Sequence, residues 1–346
     1  MNFKVIDFDN KKEWEKVAQN REVYYQWQYV DAFYKIGDGE PRLAYAEQDG
    51  DYVLNVFFLR NIAKDLKLDG DNFDYHDIIT PYGYGGVDCT NSNNKELLDY
   101  FHEMFEKYCI DNNIVSEFIR LCPFTNNYVN YNDSYELLNI SKTVYMKLDN
   151  PDQIWNDMEG RSRTAIRKAF NNNLVVKSGF SKEMFDEFVE IYRDTMSRDD
   201  AESYYFFDDV FFQSIYDNMK EFAKIYTVYL EDKPISSSII MFNGQSGHYH
   251  LSGTLSEYMK YGANNLGLYE IALDLCKNGI KSFHLGGGYG GDSSPLLKFK
   301  RSFNKFGDLD FYIGKKIYNQ NAYDELCKKR NITDKSGFFP AYRKEN

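Results

Sequence analysis

The 346-residue chain is short of cysteine: Cys89, Cys109, Cys122, Cys276 and Cys327 are scattered, with no C-x-x-C pair. Isolated thiols without a His/Cys cluster exclude a zinc ribbon, a thioredoxin-like redox centre and a disulfide scaffold. Long apolar runs are missing as well. None approaches the ~18 residues of a membrane span, and the mean hydropathy is −0.60. The opening stretch MNFKVIDFDNKKEW has no hydrophobic signal core, so a cytoplasmic chain with reduced thiols is expected. P-loop, H-E-x-x-H and G-x-S-x-G motifs do not occur, which removes the common nucleotide, zinc-protease and serine-hydrolase signatures. Positive charge is the minority: 41 Lys+Arg against 53 Asp+Glu give a net charge of −12. That balance excludes a protein that coats nucleic acid or anionic membrane nonspecifically.

What is present describes a folded protein. Hydrophobic residues are 43% and charged residues 27% of the chain, and the length fits about two domains. Aromatics are in excess, with 30 Tyr, 27 Phe and 3 Trp. Buried rings leave tyrosine hydroxyls needing partners, so the excess belongs to an aromatic core or to rings lining a cleft.

A mixed α/β rhythm runs twice. In the first half, β-rich runs at 43–47 and 52–60 flank the turn Gln48-Asp49-Gly50-Asp51, followed by a helix at 96–109 and a strand at 116–121. In the second half, runs at 224–230 and 235–242 flank Glu231-Asp232-Lys233-Pro234. A strand at 248–253, a helix at 263–278 stopped by Gly279, and a strand at 282–285 complete the unit. The segment AEQDGDYVLNVFFL lies over YLEDKPISSSIIMF, as an internal duplication would place it, although any α/β protein repeats such elements. Between the halves, Asn150-Pro151 reads as N-cap and first helical residue of one helix carrying Ile154, Trp155, Met158, Ala165, Ile166 and Ala169. A second helix starts at Ser181. These features predict two domains, residues 1–145 and 146–346.

Four places could hold chemistry. The loop PYGYGGV offers Tyr82 and Tyr84 beside glycines that let a backbone approach a ligand, and a plain turn explains the glycines equally well. The stretch HLGGGYGGDSSPLLKFKRSF sets Gly286, Gly287 and Gly288 before a helix starting at Ser294-Pro295, an arrangement that favours an anion or a developing oxyanion. At about 100° per residue, Leu296, Leu297, Phe299 and Phe303 form one apolar arc, and Lys300 falls inside it. A lysine on a buried face must be paired, must snorkel, or must reach a cleft. Two windows hold no acid: Arg161, Arg163, Arg167, Lys168 and Lys177 in one, Lys298, Lys300, Arg301 and Lys305 in the other. They read as a basic surface for a phosphorylated partner. Arg198 ends the second helix before Tyr204 and Tyr205. It caps carbonyls there or clamps a carboxylate or phosphate. His248 and His250 share one strand face and read as structural or substrate-facing rather than metal-bound.

These segments, taken in order, resemble the Fem-type peptidoglycan aminoacyltransferases and their relatives with an acetyltransferase domain of the GNAT superfamily. The resemblance is carried by PYGYGGV, RSRTAIRKAFNNNLVVK, IYRDTMSRDD, HYHLSGT, YGANNLGLYEIALDLCKNGIKSFHLGGG and LLKFKRSF. It implies an α/β (α+β) fold of two tandem GNAT-like domains with mixed sheets flanked by helices, and no coiled-coil arm. It also implies transfer of an acyl or aminoacyl group to a primary amine. Classical members move an amino acid from aminoacyl-tRNA to a cell-wall peptide precursor. Lys300 matches the lysine of the family's F-K-x-x-F segment, and Lys35, Tyr82, Arg198 and Tyr249 lie at positions resembling its substrate cleft. The chain departs from the GNAT element that holds coenzyme A: Lys260-Tyr261-Gly262-Ala263-Asn264-Asn265 keeps only part of the R/Q-x-x-G-x-G/A pattern.

The expected chemistry is attack of a neutral amine on an ester or thioester carbonyl, with Lys300 and the Gly286–Gly288 amides stabilising charge. Arg198 and Lys35 would anchor acidic groups on the acceptor, and Tyr82, Tyr84, Tyr204, Tyr205 and Tyr249 would line the cleft. No side chain is an evident general base. No prosthetic group is required, and the donor is aminoacyl-tRNA or acyl-CoA. The alternatives are an acyl-CoA-dependent N-acyltransferase acting on an amino sugar or small amine, and a noncatalytic peptide- or glycan-binding protein. The implied partners are an amine acceptor such as a cell-wall precursor and the acceptor end of charged tRNA.

Overall fold

The computed structural model describes residues 1–68, 74–198, 202–288 and 294–344. In chain order the strands are β1 (Asn2–Asp7), β2 (Glu40–Gln48), β3 (Asp51–Asn61), β4 (His76–Ile79), β5 (Asp88–Cys89), β6 (Ile114–Arg120), β7 (Glu136–Lys147), β8 (Leu174–Gly179), β9 (Ala223–Leu230), β10 (Lys233–Asn243), β11 (Ser246–Thr254), β12 (Ser282–Gly287) and β13 (Asp308–Ile317). The helices are α1 (Lys11–Ala18), α2 (Trp27–Lys35), α3 (Ile62–Asp65), α4 (Lys95–Asp111), α5 (Pro151–Asp157), α6 (Gly160–Asn171), α7 (Lys182–Arg198), α8 (Asp209–Asn218), α9 (Ala263–Lys277), α10 (Pro295–Arg301) and α11 (Gln320–Lys329).

Two compact units emerge. The first comprises Met1–Gln19, Tyr24–Ile140 and Phe311–Asn346; the second comprises Asn20–Val23 and Ser141–Asp310. In the first, strands β1-β2-β3-β4-β6-β13 lie side by side, with β4 and β6 parallel and the remaining neighbours antiparallel. Helix α4 covers β2, β3 and β6, and buries Leu97, Leu98, Phe101 and Phe105 against Ala44, Val53, Phe57 and Ile78. In the second, the order is β7-β12-β11-β10-β9-β8, and only β11 and β12 are parallel. Here α9 covers the sheet and joins α5 and α6 around Ile166, Leu266, Ile271, Val228 and Phe283. Each unit thus repeats hairpin, third strand, crossover helix, parallel strand: β2-β3-β4-α4-β6 in one, β9-β10-β11-α9-β12 in the other. The mixed α/β architecture agrees with the doubled rhythm of the sequence.

Local chemistry sets the ends of these elements. Asp49 and Gly50 take φ of +51° and +91° between β2 and β3, the left-handed pair of a tight hairpin turn. The Asn150 side chain accepts from Gln153 N at 2.9 Å, with Pro151 in the first helical turn.

Two expectations need correction. The single connector helix is two helices, α5 and α6. Glu159 adopts extended backbone (φ −68°, ψ 154°) and donates its N–H to Ser302 O at 2.8 Å, so a tertiary bond replaces the helical one. The C-terminal segment Phe311–Asn346, assigned by the sequence division to the second half, belongs to the first compact unit. Strand β13 pairs with β6, and Ala322, Tyr323, Leu326, Ala341 and Tyr342 pack with Ile62 and Val115. No helix among the described residues is long and apolar enough to cross a membrane.

Asp77 of β4 fastens that C-terminal segment. Its fully buried carboxylate accepts from Arg60 Nε at 2.8 Å, Arg343 Nε at 2.5 Å and Tyr342 Oη at 3.0 Å. Burial alone would raise its pKa; the Arg60 and Arg343 guanidiniums outweigh that and hold it below the usual carboxylate range. A carboxyl depressed in the folded state contributes stability above its unfolded pKa and loses it as pH falls. Asp77→Asn, which takes the buried counter-charge from Arg60 and leaves Arg343 with Asp65 at 3.0 Å, is expected to lower unfolding free energy by about 3 kcal/mol at pH 7. Urea denaturation at pH 7 and again at acid pH checks this, and the difference should shrink at the lower pH.

Candidate active site

Strands β11 and β12 are paired in parallel only at Ser246–Ser282, Gly247–Phe283 and His248–His284, and no further pair follows among the described residues. From that point β11 stays with β10 as far as Thr254, while β12 follows β7 through Gly286–Val144 and Gly287–Thr143. The β12–β7 register shifts between His284 and Gly286. A bulge bends its strand and increases local twist, so β12 turns away where it leaves β11. The parting sets Tyr249–Thr254 on one side and Leu285–Gly287 on the other. Strand groups relieved of a ladder partner can bind an extended chain. The corresponding parallel pair of the first unit stays closed. There β4 and β6 pair to Ile79–Phe118, Thr80 N donates to Phe118 O at 3.3 Å, and Gly85 N donates to Arg120 O at 2.8 Å.

Lys300 reaches this parting from α10. It is buried, and its Nζ donates to Gly287 O at 2.6 Å. Burial pushes the ammonium pKa down to about 8, so at neutral pH the cation still predominates. Of the apolar arc predicted for this helix, Leu297 and Phe303 are buried in one cluster and Phe299 packs partly against it, whereas Leu296 is exposed, because it lies on the outer side of the helix. Gly286 takes φ +76°. Gly288 is a close approach: a Cβ there would meet Leu297 N at 2.8 Å and Ser294 Oγ at 2.6 Å. Lys300, Gly286, Gly287 and Gly288 are therefore brought together. Residues 289–293 of the glycine-rich stretch lie outside the described residues.

Tyr249 stands on β11 one residue past the last pair, its ring edge-on to Phe283 at 6.4 Å. Burial raises its hydroxyl pKa, while hydrogen bonds with Ser252 and Ser238 lower it, so the hydroxyl is tied to the sheet. Arg198 closes the other end of the strand, donating Nη1 to Thr254 O at 2.6 Å. Tyr204 and Tyr205 follow, edge-to-face at 5.8 Å, with Tyr205 O accepting from Tyr192 Oη at 2.8 Å. Residues 199–201, between Arg198 and these tyrosines, lie outside the described residues. Lys35, Tyr82 and Tyr84 belong to the first unit. Lys35 pairs with the buried Asp31 at 2.8 Å. Tyr82 stacks on Phe33 at 5.5 Å, and its carbonyl accepts from Tyr29 Oη at 2.7 Å. Tyr84 is edge-on to Tyr24 and Phe311.

The two basic windows meet: Arg161 Nη2 donates to Lys298 O at 2.7 Å and Ser162 Oγ donates to Ser302 Oγ at 2.6 Å, joining α6 to α10 and the residue after it. Lys177 lies apart on β8, over the Tyr229 ring.

Sequence reasoning missed two clusters. Thr254 is a hub: its Oγ1 donates to Asn264 Oδ1 at 2.5 Å, its N–H donates to Thr195 Oγ1 at 3.0 Å, and Ser236 Oγ donates to Asn264 Oδ1 at 2.8 Å. The hub fixes α7 and α9 against the end of β11. His248 Nε2 lies 2.6 Å from Glu22 Oε2, and its ring is edge-on to His284 at 5.7 Å. An acidic partner thus does stand beside the histidines, supplied from 226 positions away in the chain, a separation no local spacing reveals. Burial first, then His248 and Lys300, push the His284 pKa well below the ordinary value. Among the described residues no His/Cys/Asp/Glu group is placed to hold a metal ion.

A coenzyme A donor would need its diphosphate cradled at the N-terminus of α9. The residues there fit poorly. A Cβ at Gly262 would stand 2.7 Å from Ala165 O, so α6 lies directly over this turn and presents a carbonyl oxygen to it. Asn264, where a small residue belongs, is spent on Ser236 and Thr254.

The acetyltransferase (GNAT) domain family model matches residues 159–301. No curated protein matches the chain in sequence at a significant level. Among solved structures, the crystal structure of FemX superposes with a TM-score of 0.67 over 94% of this chain and 99% of that one, at 15% identity. L-PGS from Bacillus licheniformis gives 0.53 over 88% and 92%, at 13% identity. A conserved protein of unknown function from Bacteroides thetaiotaomicron gives 0.56 over 91% and 99%, at 11% identity. At such identities the likeness is one of fold.

Labelled-lysine NMR of the intact chain is expected to show one ammonium, absent from Lys300→Met, titrating near 8. A Lys300 signal that titrates with the surface lysines would contradict the buried placement. Residues 159–301 thus match the acetyltransferase (GNAT) domain family, in a chain whose fold the FemX structure shares.

Proposed function

We propose that the protein transfers an aminoacyl group from the ester of a charged tRNA to a primary amine on a cell-wall peptide precursor. The observation that carries this reading is Lys300, buried beside the parting of β11 and β12 with its ammonium on Gly287 O. The acceptor amine, deprotonated, adds to the ester carbonyl to give a tetrahedral oxyanion. Collapse forms the amide and expels the ribose hydroxyl, which takes up the proton lost by the amine. The Lys300 ammonium, held in a site of low polarity, stabilises the oxyanion far better than it would in water. The edges of β11 and β12 hold the aminoacyl end in extended form. Arg198 is the candidate anchor for an acidic group of the acceptor in the second unit, with Tyr204, Tyr205 and Tyr249 lining its path. Lys35, Tyr82 and Tyr84 are the candidates in the first unit.

A second reading is favoured by the family match at 159–301: an acyl-CoA-dependent N-acyltransferase acting on an amino sugar or small amine. The covered N-terminus of α9 weighs against it.

Lys300→Met is expected to lower turnover on the order of 10²–10³-fold with an unchanged circular dichroism spectrum. The wild-type rate should also fall as pH rises through about 8, because the cation is then lost, and that limb should be missing in the variant. An unchanged rate overturns the role of Lys300. Mass spectrometry of wild-type reactions pairing charged tRNA or acetyl-CoA with cell-wall peptide precursors and amino sugars separates the donors. Product from charged tRNA alone supports the first reading, and product from acetyl-CoA supports the second. No product from any pair points to the noncatalytic binding protein.

A further inference from the structure

Glu117 lies away from the site described above, on β6 of the first unit, and is 2% exposed. Its carboxylate accepts from Tyr318 Oη, just beyond β13, at 2.6 Å, and Asn55 Nδ2 on β3 lies 3.4 Å from it. Directly opposite it in the β6–β13 register stands Lys316. A cross-strand Glu and Lys ordinarily pair. The Lys316 ammonium goes elsewhere, to Glu106 Oε2 at 3.0 Å and Ser134 Oγ at 2.8 Å, and no ion pair reaches Glu117 among the described residues. One further atom is out of balance: Asn55 Oδ1 is buried with no donor among the described residues. An ionised Glu117 would bring only more acceptors to that corner. A proton on Glu117 adds the missing donor, and reversal of the Asn55 amide, whose Nδ2 faces Glu117 Oε1, brings Oδ1 onto it.

The other groups facing this carboxyl are neutral. Cys109 on α4, Tyr131 and Tyr135 between β6 and β7, and Tyr318 are all pushed well up by burial. His102 on α4 is pushed down, also by burial first. Burial lifts Glu117 itself to about 7, against the lowering effects of Tyr318 and Lys316.

We infer that Glu117 is a proton-binding site: the protonated carboxyl fastens Asn55 of β3 and Tyr318 to β6, and loss of the proton draws the Lys316 ammonium from Glu106 onto Glu117. The first unit is thereby built to loosen as pH rises through neutrality. The folded value lies above the unfolded 4.5, so the contribution is fully present below that pH and is lost as pH rises through about 7.

Unfolding of the full chain by urea, wild type against Glu117→Gln, tests this. The neutral isostere keeps a donor and an acceptor but has no proton to lose. Relative to wild type, its folded-to-unfolded ratio should rise on the order of a hundredfold between pH 5 and pH 8. Infrared difference spectra between the two should show a protonated carboxyl at pH 6 that is gone at pH 8. In Lys316→Met the midpoint of that band should move to higher pH, since the counter-cation has been removed. A ratio that does not change with pH, or no protonated band at pH 6, overturns the proton site. An unmoved midpoint in Lys316→Met overturns the exchange of the ammonium. Should Glu117→Gln fail to fold, spectra of wild type and Lys316→Met with labelled glutamate decide the matter alone.

Discussion

Two parallel strands that are held together for three residue pairs and then drawn apart define the candidate site of the second unit. The parting has an identifiable cause. Strand β12 carries a bulge after His284 and continues with β7, whereas β11 continues with β10. The features of the candidate site are placed relative to that divergence. Lys300 reaches it by laying α10 on β12, Gly288 permits the helix to come that close, and the Thr254 hub holds the far end of β11 to α7 and α9.

The contrast between the units sharpens the assignment. Both contain the same run of hairpin, third strand, crossover helix and parallel strand. In the first, the loop containing Tyr82 and Tyr84 remains zipped to β6 through Thr80 and Gly85, so its parallel pair never opens. Two of its buried carboxyls serve the fold: Asp77 ties down the C-terminal segment, and Glu117 joins β6 to Asn55 of β3 and to Tyr318. The repeated topology thus ends in a closed parallel pair in the first unit and a parted one in the second. The difference comes from a few residues at one strand end rather than from a different architecture.

Much of this was legible in the sequence, for reasons that can be traced. The turn Asp49-Gly50, the N-cap Asn150 and the stop at Gly279 act within four residues of themselves, and the structure has them where local chemistry placed them. Lys300 was legible because helical geometry alone puts it among Leu297, Phe299 and Phe303. The break at Glu159 was not, since its cause is a bond to Ser302 far along the chain. Neither was the docking of Phe311–Asn346 with the first unit, which follows from strand pairing between β13 and β6. The Glu22–His248 contact and the Thr254 hub belong to the same class: each joins residues distant in sequence and common in type. The tyrosine excess has two outcomes. Tyr204 stays exposed, whereas Tyr84 and Tyr249 are packed against other rings.

The central claim is that the donor's reacting end enters the second unit between β11 and β12. Backbone hydrogen exchange of the intact protein, with and without a nonhydrolysable analogue of the aminoacyl-tRNA acceptor end, tests it most directly. The account predicts slowed exchange in residues 249–254 and 285–288, with β4 and β6 unaffected. Protection confined to the β4–β6 region, or no change along β11 and β12 at saturating analogue, would contradict it.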